Sequence, residues 1–492
     1  MPLELQNGKN NCTIIFNNEN NLSFEILKND FEFLKTQNQS NKKTLILSDF
    51  SKKNDPKIIN LIDNFKFSRI FFLEKKNEIY QNFDKKNSFY QKIEFFYQKN
   101  FSFQNEIILL EGDKKSQLKK IVYFLQEKNH NTYLEINLKA LINNLNFYRN
   151  IIKKKTKIMV MVKAFSYGIG SFEIAALLES EKVDYLGVAY SDEGIELRKN
   201  GINLPIVVLN SQEQNFNLIV KNNLEIEIYS LKILKKFHFF LKKIFYKKKY
   251  PIHIKIDTGM NRLGFVENEI DSLIEKLKIY KNLKIKSIFS HLVGSDEKNL
   301  DYFTNLQFEK FEKIIEKFKK NFSYSILRHI LNSSGIERFT NKQYEMVRLG
   351  IGFYGISNIY KKKLQNISSL KTRISQIRTA KINETVSYHR KWRLNKESKI
   401  AILPIGYADG LNRKLSNGVG KVFINGKFAK IIGNICMDMS IIDITEIPAK
   451  ENDEVIIFGK EQNIIEIAKK LETIAYEILT SISARVKRIY IY

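Results

Sequence analysis

Residues 159–170 read MVMVKAFSYGIG. The apolar, β-prone run at 158–162 ends abruptly at Lys163; Tyr167 and Gly168 follow four residues on, and then Gly170. That order describes a buried strand that delivers one amine to the mouth of a fold and then turns at glycine. Two readings of the lysine stand. It reaches into solvent from a strand end, the commoner case for a lysine taken alone, or it lies in a partly desolvated pocket. Burial there lowers its pKa and leaves a neutral amine able to condense with an aldehyde. Other residues decide between them.

Working outward, apolar runs recur at 158–162, 185–189, 206–209, 226–229, 252–256, 285–290, 325–330 and 346–348, with helical segments between. Eight strands separated by helices fit a (β/α)8 barrel of the TIM type. Ser191, Asp192 and Glu193 open one helix with an N-cap and an acidic first turn, and Gly201 closes it. A helix over 302–318 places Phe303, Leu306, Phe311, Ile314, Ile315 and Phe318 near one face, a core stripe. Barrel chemistry sits at the C-terminal ends of strands. Lys163 closes the first strand; Lys255, Asp257 and Arg262 lie in and just after the fifth; His291 closes the sixth. His329 lies in the seventh with Asn332 and Ser333 beyond it, and Arg348 closes the eighth, followed by Gly350 and Ile351. His253, alone on its strand, reads as a satisfied core or surface group.

On either side the pattern changes. After about residue 373, short β-rich runs at 400–404, 429–432, 441–444 and 454–458 surround FINGKF at 423–428, whose Asn425-Gly426 pair signals a type I′ hairpin. Before about residue 130, β-rich runs at 13–16, 44–48, 69–73 and 106–110 alternate with helical patterns at 24–35, 56–65 and 116–127, the mark of a small Rossmann-like α/β domain. The polar patch at 127–132 is the boundary. The expected organisation is an α/β domain over 1–130, the barrel over 131–373 and a mainly-β domain over 374–492.

A net charge of +28 over 492 residues invites a polyanion-binding reading. The lysines are spread throughout, alongside abundant Asn, Ile, Phe and Tyr, so compositional drift is the preferred reading and no nucleic-acid partner is expected. Cys12 and Cys436 are too far apart in sequence to form a metal cluster by themselves, and no metal is expected. With no signal peptide and no uninterrupted apolar run long enough to cross a bilayer, the chain reads as cytoplasmic, with no membrane partner.

VKAFSYGIG resembles the pyridoxal phosphate (PLP) lysine segment of the alanine racemases, fold-type III PLP enzymes, whose usual form is VKANAYGHG. Lys163, Tyr167, Gly168 and Gly170 keep that form; Phe165, Ser166 and Ile169 depart from it. HIKIDTGMNRLGF, SHLVGSDE, RHILNSSG, MVRLGIGFYG, ETVSYHRKW, PIGYADG and NICMDMS are similar to further segments of the family in the same order, so the resemblance spans about residues 132–492. It implies a PLP-dependent alanine racemase that interconverts L- and D-alanine by two-base proton transfer and supplies D-alanine for peptidoglycan. Lys163 and Tyr388 are the implied bases. Tyr388 reaches the partner's barrel in a homodimer, and His389 stands where the family has glycine.

The same resemblance implies that Tyr167, Ser333, Tyr476 and the amides around Gly350 and Ile351 hold the cofactor phosphate, with Asn332 beside them and Leu349 in place of the usual proline. The resemblance further implies that His291 lies against the ring and that His329 fixes Arg348. It likewise implies that Arg262 acts at the phenolic oxygen and on substrate, and that Tyr407 and Met437 belong to the substrate side. Arg348 cannot give up its proton at working pH, so it donates a hydrogen bond and leaves the ring nitrogen unprotonated. Lys255 matches the family's carbamylated lysine; its other readings are an ion pair with Asp257 or a solvent-facing lysine.

Residues 1–130 resemble the C-terminal domain of Mur-type peptide ligases, in particular the ligase that adds D-alanyl-D-alanine, through NNCTIIFNNENNLSF, TLILSDF and LLEGDKK. The family's Asp-x-Tyr-Asn run is replaced by FNNEN at 16–20, and the chain has no GxxxxGK[ST] phosphate loop. That implies a remnant of a ligase–racemase fusion, without ligase activity, serving as a packing or docking module. The competing functions are a serine or broad-specificity racemase and a non-catalytic PLP-holding or cell-wall docking protein. A decarboxylase is disfavoured, because Arg348 stands where such an enzyme would want a carboxylate.

Overall fold

The computed structural model describes residues 131–491 except 361 and 362. Of the first 130 it describes 3–17, 23–37, 42–48, 56–73, 88–91 and 103–112, with 40, 118, 121, 122, 124 and 125. The chain divides into two compact units, Met1–Asn129 and His130–Tyr492.

The first unit is a six-stranded sheet of β1 (Leu3–Gly8), β2 (Cys12–Asn17), β3 (Lys43–Leu47), β4 (Arg69–Leu73), β5 (Ser88–Gln91) and β6 (Ile107–Glu111), ordered β1-β2-β6-β3-β4-β5. Only the β1–β2 pair is antiparallel. Side chains alternate across β2. Ile15 joins the helices Phe24–Thr36 and Pro56–Phe65 on one face through Leu27, Phe31 and Ile62; Ile14 and Phe16 face Leu118, Ile121 and Val122 on the other. Burial on both faces explains the unbroken apolar runs read from the sequence. Most of FNNEN, the end of LLEGDKK and most of the 127–132 patch lie outside the described residues.

The second unit begins with β7 (Tyr133–Asn137) and then enters the barrel: β8 (Lys157–Met161), β9 (Tyr185–Val188), β10 (Ile206–Val208), β11 (Glu225–Ile228), β12 (Tyr250–Lys255), β13 (Leu283–Phe289), β14 (Leu327–His329) and β15 (Met346–Leu349). These eight strands are parallel, ordered β14-β13-β12-β11-β10-β9-β8-β15. The Arg348 amide reaches the Leu331 carbonyl just past β14 at 3.0 Å and closes the ring. This is the TIM-type barrel expected from the eight apolar runs.

β7 does not join the barrel. It pairs with β16 (Ser368–Arg373) and, in parallel, with the last strand of the chain, Lys487–Ile491. The C-terminal β-domain therefore clasps both ends of this unit. In the hairpin of Lys421–Ile424 and Lys427–Lys430, Asn425 (φ 46°) and Gly426 (φ 82°) are both left-handed, as a type I′ turn requires. The 302–318 helix runs over Asp301–Asn321, and its buried stripe starts with Thr304, Gln307 and Phe308 instead of Phe303 and Leu306. Gln307 is drawn inward by hydrogen bonds to the Val293 amide (3.0 Å), the His291 carbonyl (3.0 Å) and Thr258 Oγ1 (3.1 Å).

Candidate active site

A cavity of about 400 Å³ opens at the C-terminal ends of the barrel strands, and Lys163, Lys255 and Arg348 all line it. The segment that brings Lys163 there is not an ordinary helix. Ala164, Phe165, Ser166 and Tyr167 have φ of 52°, 55°, 47° and 57°, one turn of left-handed backbone in residues with side chains. Each such residue costs roughly 1–2 kcal/mol, so neighbours must hold the turn in place. Glu193 accepts from the Ala164 amide at 2.6 Å, having also capped the following helix by accepting from the Ala189 and Tyr190 amides at 2.6 and 3.2 Å. Tyr190, rather than Ser191, is thus the cap residue. Gly168 ends the turn at φ 87°, where an added Cβ would lie 2.1 Å from the Leu479 carbonyl oxygen. The turn sets both Lys163 and Tyr167 on the cavity wall.

Burial, then the positive charge of Arg262, push the Lys163 amine below its usual pKa; Arg348 adds to the shift and Glu193 opposes it. The desolvated reading of the lysine is the one the surroundings support.

Arg348 is buried, 3% exposed, and held from two sides. Nη1 lies 2.7 Å from His329 Nδ1, while Nη2 donates to the Ser290 carbonyl at 2.7 Å and the Ile330 carbonyl at 3.1 Å and lies 3.2 Å from His291 Nδ1. Its Nε has no acceptor among the described residues. Burial lowers its pKa to about 10, so it remains a cation at neutral pH. Burial, with Arg348 next in size, keeps both His291 and His329 well below the usual histidine range, so both are neutral acceptors toward the guanidinium.

The opposite wall is an anion cradle. Ser333 Oγ accepts from the amides of Gly350 (3.0 Å) and Gly352 (3.2 Å), which orients its own proton. The buried Tyr167 hydroxyl and the Ile351 amide have no acceptor among the described residues. A Cβ at Gly350 would come within 2.9 Å of Tyr167 Oη, so glycine keeps this corner open. Orphaned donors around an open corner fit a phosphate. Tyr476 lines the same wall, its ring centred 5.8 Å from that of Tyr167. Asn332 also lines it, but its Oδ1 caps the helix Ser333–Arg338 through the Gly335 amide at 2.9 Å and accepts from Ser295 Oγ at 2.7 Å. Arg262 stands at the exposed rim.

The sequence reading left out Glu227. Its carboxyl lines the cavity beneath Lys255, and burial raises its pKa to about 7 against the pull of Lys255, Arg348 and Arg262. Burial in turn lowers Lys255 to about 8, with Glu227 opposing, and its Nζ lies 4.5 Å over the Phe289 ring. Asp257 is not its partner. Both Asp257 oxygens accept loop amides, Gly259 (2.8 Å), Met260 (2.9 Å) and Asn261 (3.2 Å) on Oδ1 and Arg262 (3.2 Å) on Oδ2.

Tyr388, Tyr407 and Met437 do not line this cavity. All three lie in the β-domain and are exposed, by 64%, 44% and 54%. The 434–437 loop ties them together: Asn434 Nδ2 donates to the Tyr388 carbonyl at 2.7 Å, and the Cys436 carbonyl accepts from the Tyr407 amide at 3.1 Å. His389 takes φ 61° and ψ 8°, the left-handed conformation a glycine would adopt freely.

A parallel barrel that presents a desolvated lysine, a buried arginine and an anion cradle to one cavity has the architecture of the fold-type III PLP enzymes. The residues on the cavity wall suit that cofactor. Residues 136–358 match the alanine racemase N-terminal domain family and residues 367–490 its C-terminal domain family. Alanine racemase 2 of Caldanaerobacter subterraneus subsp. tengcongensis is 38% identical over 374 residues, covering 73% of this chain and 95% of its own length. The alanine racemase of Clostridium difficile 630 superposes with a TM-score of 0.70 at 37% identity, over 74% of this chain and 97% of that one. A crystal structure of the Bartonella henselae alanine racemase with covalently bound pyridoxal phosphate gives 0.68 at 28% identity, over 73% and 99%. The chain belongs to the alanine racemase family.

Proposed function

We propose that this chain interconverts L- and D-alanine with PLP as cofactor, supplying D-alanine for peptidoglycan in the cytoplasm. The observation that carries this is the convergence of the desolvated Lys163 and the anchored Arg348 on one cavity with an anion cradle. Bound there, the cofactor supplies an aldehyde for covalent attachment and a ring that delocalises charge from the substrate α-carbon. Tyr167, Ser333 and the Ile351 amide would hold its phosphate, with Tyr476 and Asn332 closing the wall. His291, on the same cavity, would face its ring. Arg348 keeps its protons and so would offer only a hydrogen bond to the ring nitrogen, which would weaken the sink and favour return of the α-proton over competing outcomes. Arg262 acts at the rim, on the phenolic oxygen and the substrate.

Racemisation needs a base on each face. Lys163, depressed by burial, takes or returns the proton on one. On the other we assign Tyr388 of the partner subunit, because Tyr388, Tyr407 and Met437 stand exposed and away from the cavity of their own chain. A homodimer, with each β-domain reaching the other barrel, completes two such sites. Lys255, whose pKa near 8 leaves a sizeable neutral fraction, is the carbamylation candidate, and Glu227 beside it competes by supplying a negative charge already. The domains are assigned as an α/β unit over 1–130, a barrel region over 131–373, whose terminal strands β7 and β16 pair in the sheet of the β-domain, and the β-domain over 374–492, the first being a ligase-like docking remnant.

The test is to incubate the PLP-loaded chain with L-alanine in deuterated water. D-alanine carrying α-deuterium is expected. Intact L-alanine with no α-deuterium, at full cofactor occupancy, rejects the assignment.

A further inference from the structure

Five polar side chains run in single file through the inside of the barrel, and the function proposed above uses only the first two. Arg348 Nη1 is 2.7 Å from His329 Nδ1, and His329 Nε2 is 2.9 Å from Ser287 Oγ. Ser287 Oγ is 2.6 Å from His253 Nδ1, and His253 Nε2 is 2.6 Å from Glu225 Oε2. The five residues come from β15, β14, β13, β12 and β11 in turn, each from an inward-facing position. Ser287 and His253 are 0% exposed and His329 1%, while the Glu225 side chain keeps 15% of its surface at the far end. The rings are fixed as well. His329 stacks on Phe289 at 4.7 Å and 3°, and His253 meets Tyr185 edge-on at 6.3 Å and 85°.

The file has a direction. An arginine only donates, so His329 Nδ1 accepts, and a neutral His329 must then carry its proton on Nε2. That proton goes to Ser287 Oγ. The Ser287 hydroxyl proton is left for His253 Nδ1, and His253 Nε2–H for the Glu225 carboxylate. Each of the three middle residues, His329, Ser287 and His253, gives one proton and accepts one, and hydrogen bonds in such a series strengthen one another. If Ser287 is removed, His329 Nε2–H loses its acceptor, and the alternative tautomer points an N–H at the guanidinium.

We propose that Ser287, His253 and Glu225 are positioning residues that lock His329 in its Nε2–H tautomer and thereby hold Arg348 as a hydrogen-bond donor toward the cavity. The inference rests on the reading of Arg348 as the residue facing the cofactor ring nitrogen. It assigns a role to His253, which the sequence offers only as a lone strand histidine. The pair Ser287–His329 is its critical link.

The test is nitrogen-15 NMR of the PLP-loaded enzyme with its six histidines labelled, alongside steady-state kinetics. The wild type is expected to show His329 protonated on Nε2 alone. Ser287→Ala should bring in the Nδ1–H form and lower kcat about tenfold with KM unchanged, as expected for a misaligned group; Ser287→Thr, which keeps the oxygen, should restore both. Glu225→Leu, at the least buried link, should move the His253 and His329 signals in the same sense with a smaller loss, and serves if Ser287→Ala does not fold. His329 protonated on Nδ1 in the wild type, or its signals unchanged in both Ser287→Ala and Glu225→Leu, overturns the proposal. Signals as expected in a chain that fails to racemise alanine support the file and reject the proposed function instead.

Discussion

The guanidinium of Arg488, on the last strand of the chain, donates from Nε at 3.1 Å and from Nη2 at 2.8 Å to the carbonyl of Gly168, which ends the left-handed turn carrying Lys163. The same side chain gathers the carbonyls of Ile482 (2.8 Å) and Val486 (2.6 Å). A C-terminal arginine therefore holds a strained turn at the mouth of the barrel. Arg488→Leu leaves these half-buried carbonyls unpaired, at a cost of about 2–4 kcal/mol. It should also weaken PLP binding by roughly tenfold as the Lys163 turn relaxes. Thermal unfolding with a PLP titration checks both; a variant that unfolds earlier yet binds PLP normally removes the turn from the account.

Gly350→Ala should raise the PLP dissociation constant by about tenfold or more, because its Cβ would sit 2.9 Å from Tyr167 Oη in the proposed phosphate corner. Free phosphate should lose affinity in parallel. Unchanged affinity for both would move the phosphate elsewhere.

Glu227 gives a pH dependence with a definite sign. Its pKa in the folded chain is about 7, above the ordinary carboxylate range, so between those limits the folded chain binds more protons than the unfolded one. Stability from this group is full at acid pH and falls as pH rises toward 7. Lys255 acts above that window: its folded pKa of about 8 lies below the ordinary lysine value, so stability rises again with pH beyond 8. Glu227→Gln removes the first slope, and its melting temperature minus that of the wild type should grow between about pH 4.5 and 7. A flat difference would show that Glu227 is ionised throughout.

His389→Gly should stabilise the chain by up to about 1 kcal/mol, relieving a left-handed side-chain-bearing residue. Racemase activity should be preserved. Destabilisation would mean that the His389 side chain makes contacts worth more than the strain.

Much of this was legible in the residues. Eight apolar runs give eight barrel strands, and Asn425-Gly426 gives its hairpin, because period and turn chemistry are local properties. What was hidden depends on long-range geometry. Glu225 and Glu227 alternate with isoleucines as they would on a solvent-facing strand, yet a closed barrel turns that face inward. KAFSY reads only as the approach to a glycine turn, and its left-handed sense depends on Glu193 and Arg488, distant in sequence. Gln307 looks like a surface residue until its three partners are assembled around it. His253 reads as a lone histidine because Ser287 and Glu225 reach it from other strands.

The central claim, that Lys163 and the partner's Tyr388 form one site, is tested most directly by mixing two inactive variants. Lys163→Ala and Tyr388→Phe chains, exchanged to random dimers, should regain roughly a quarter of wild-type activity, since half of the dimers then hold one complete site of two. No recovery, with mixed dimers demonstrably present, would contradict a site shared between subunits.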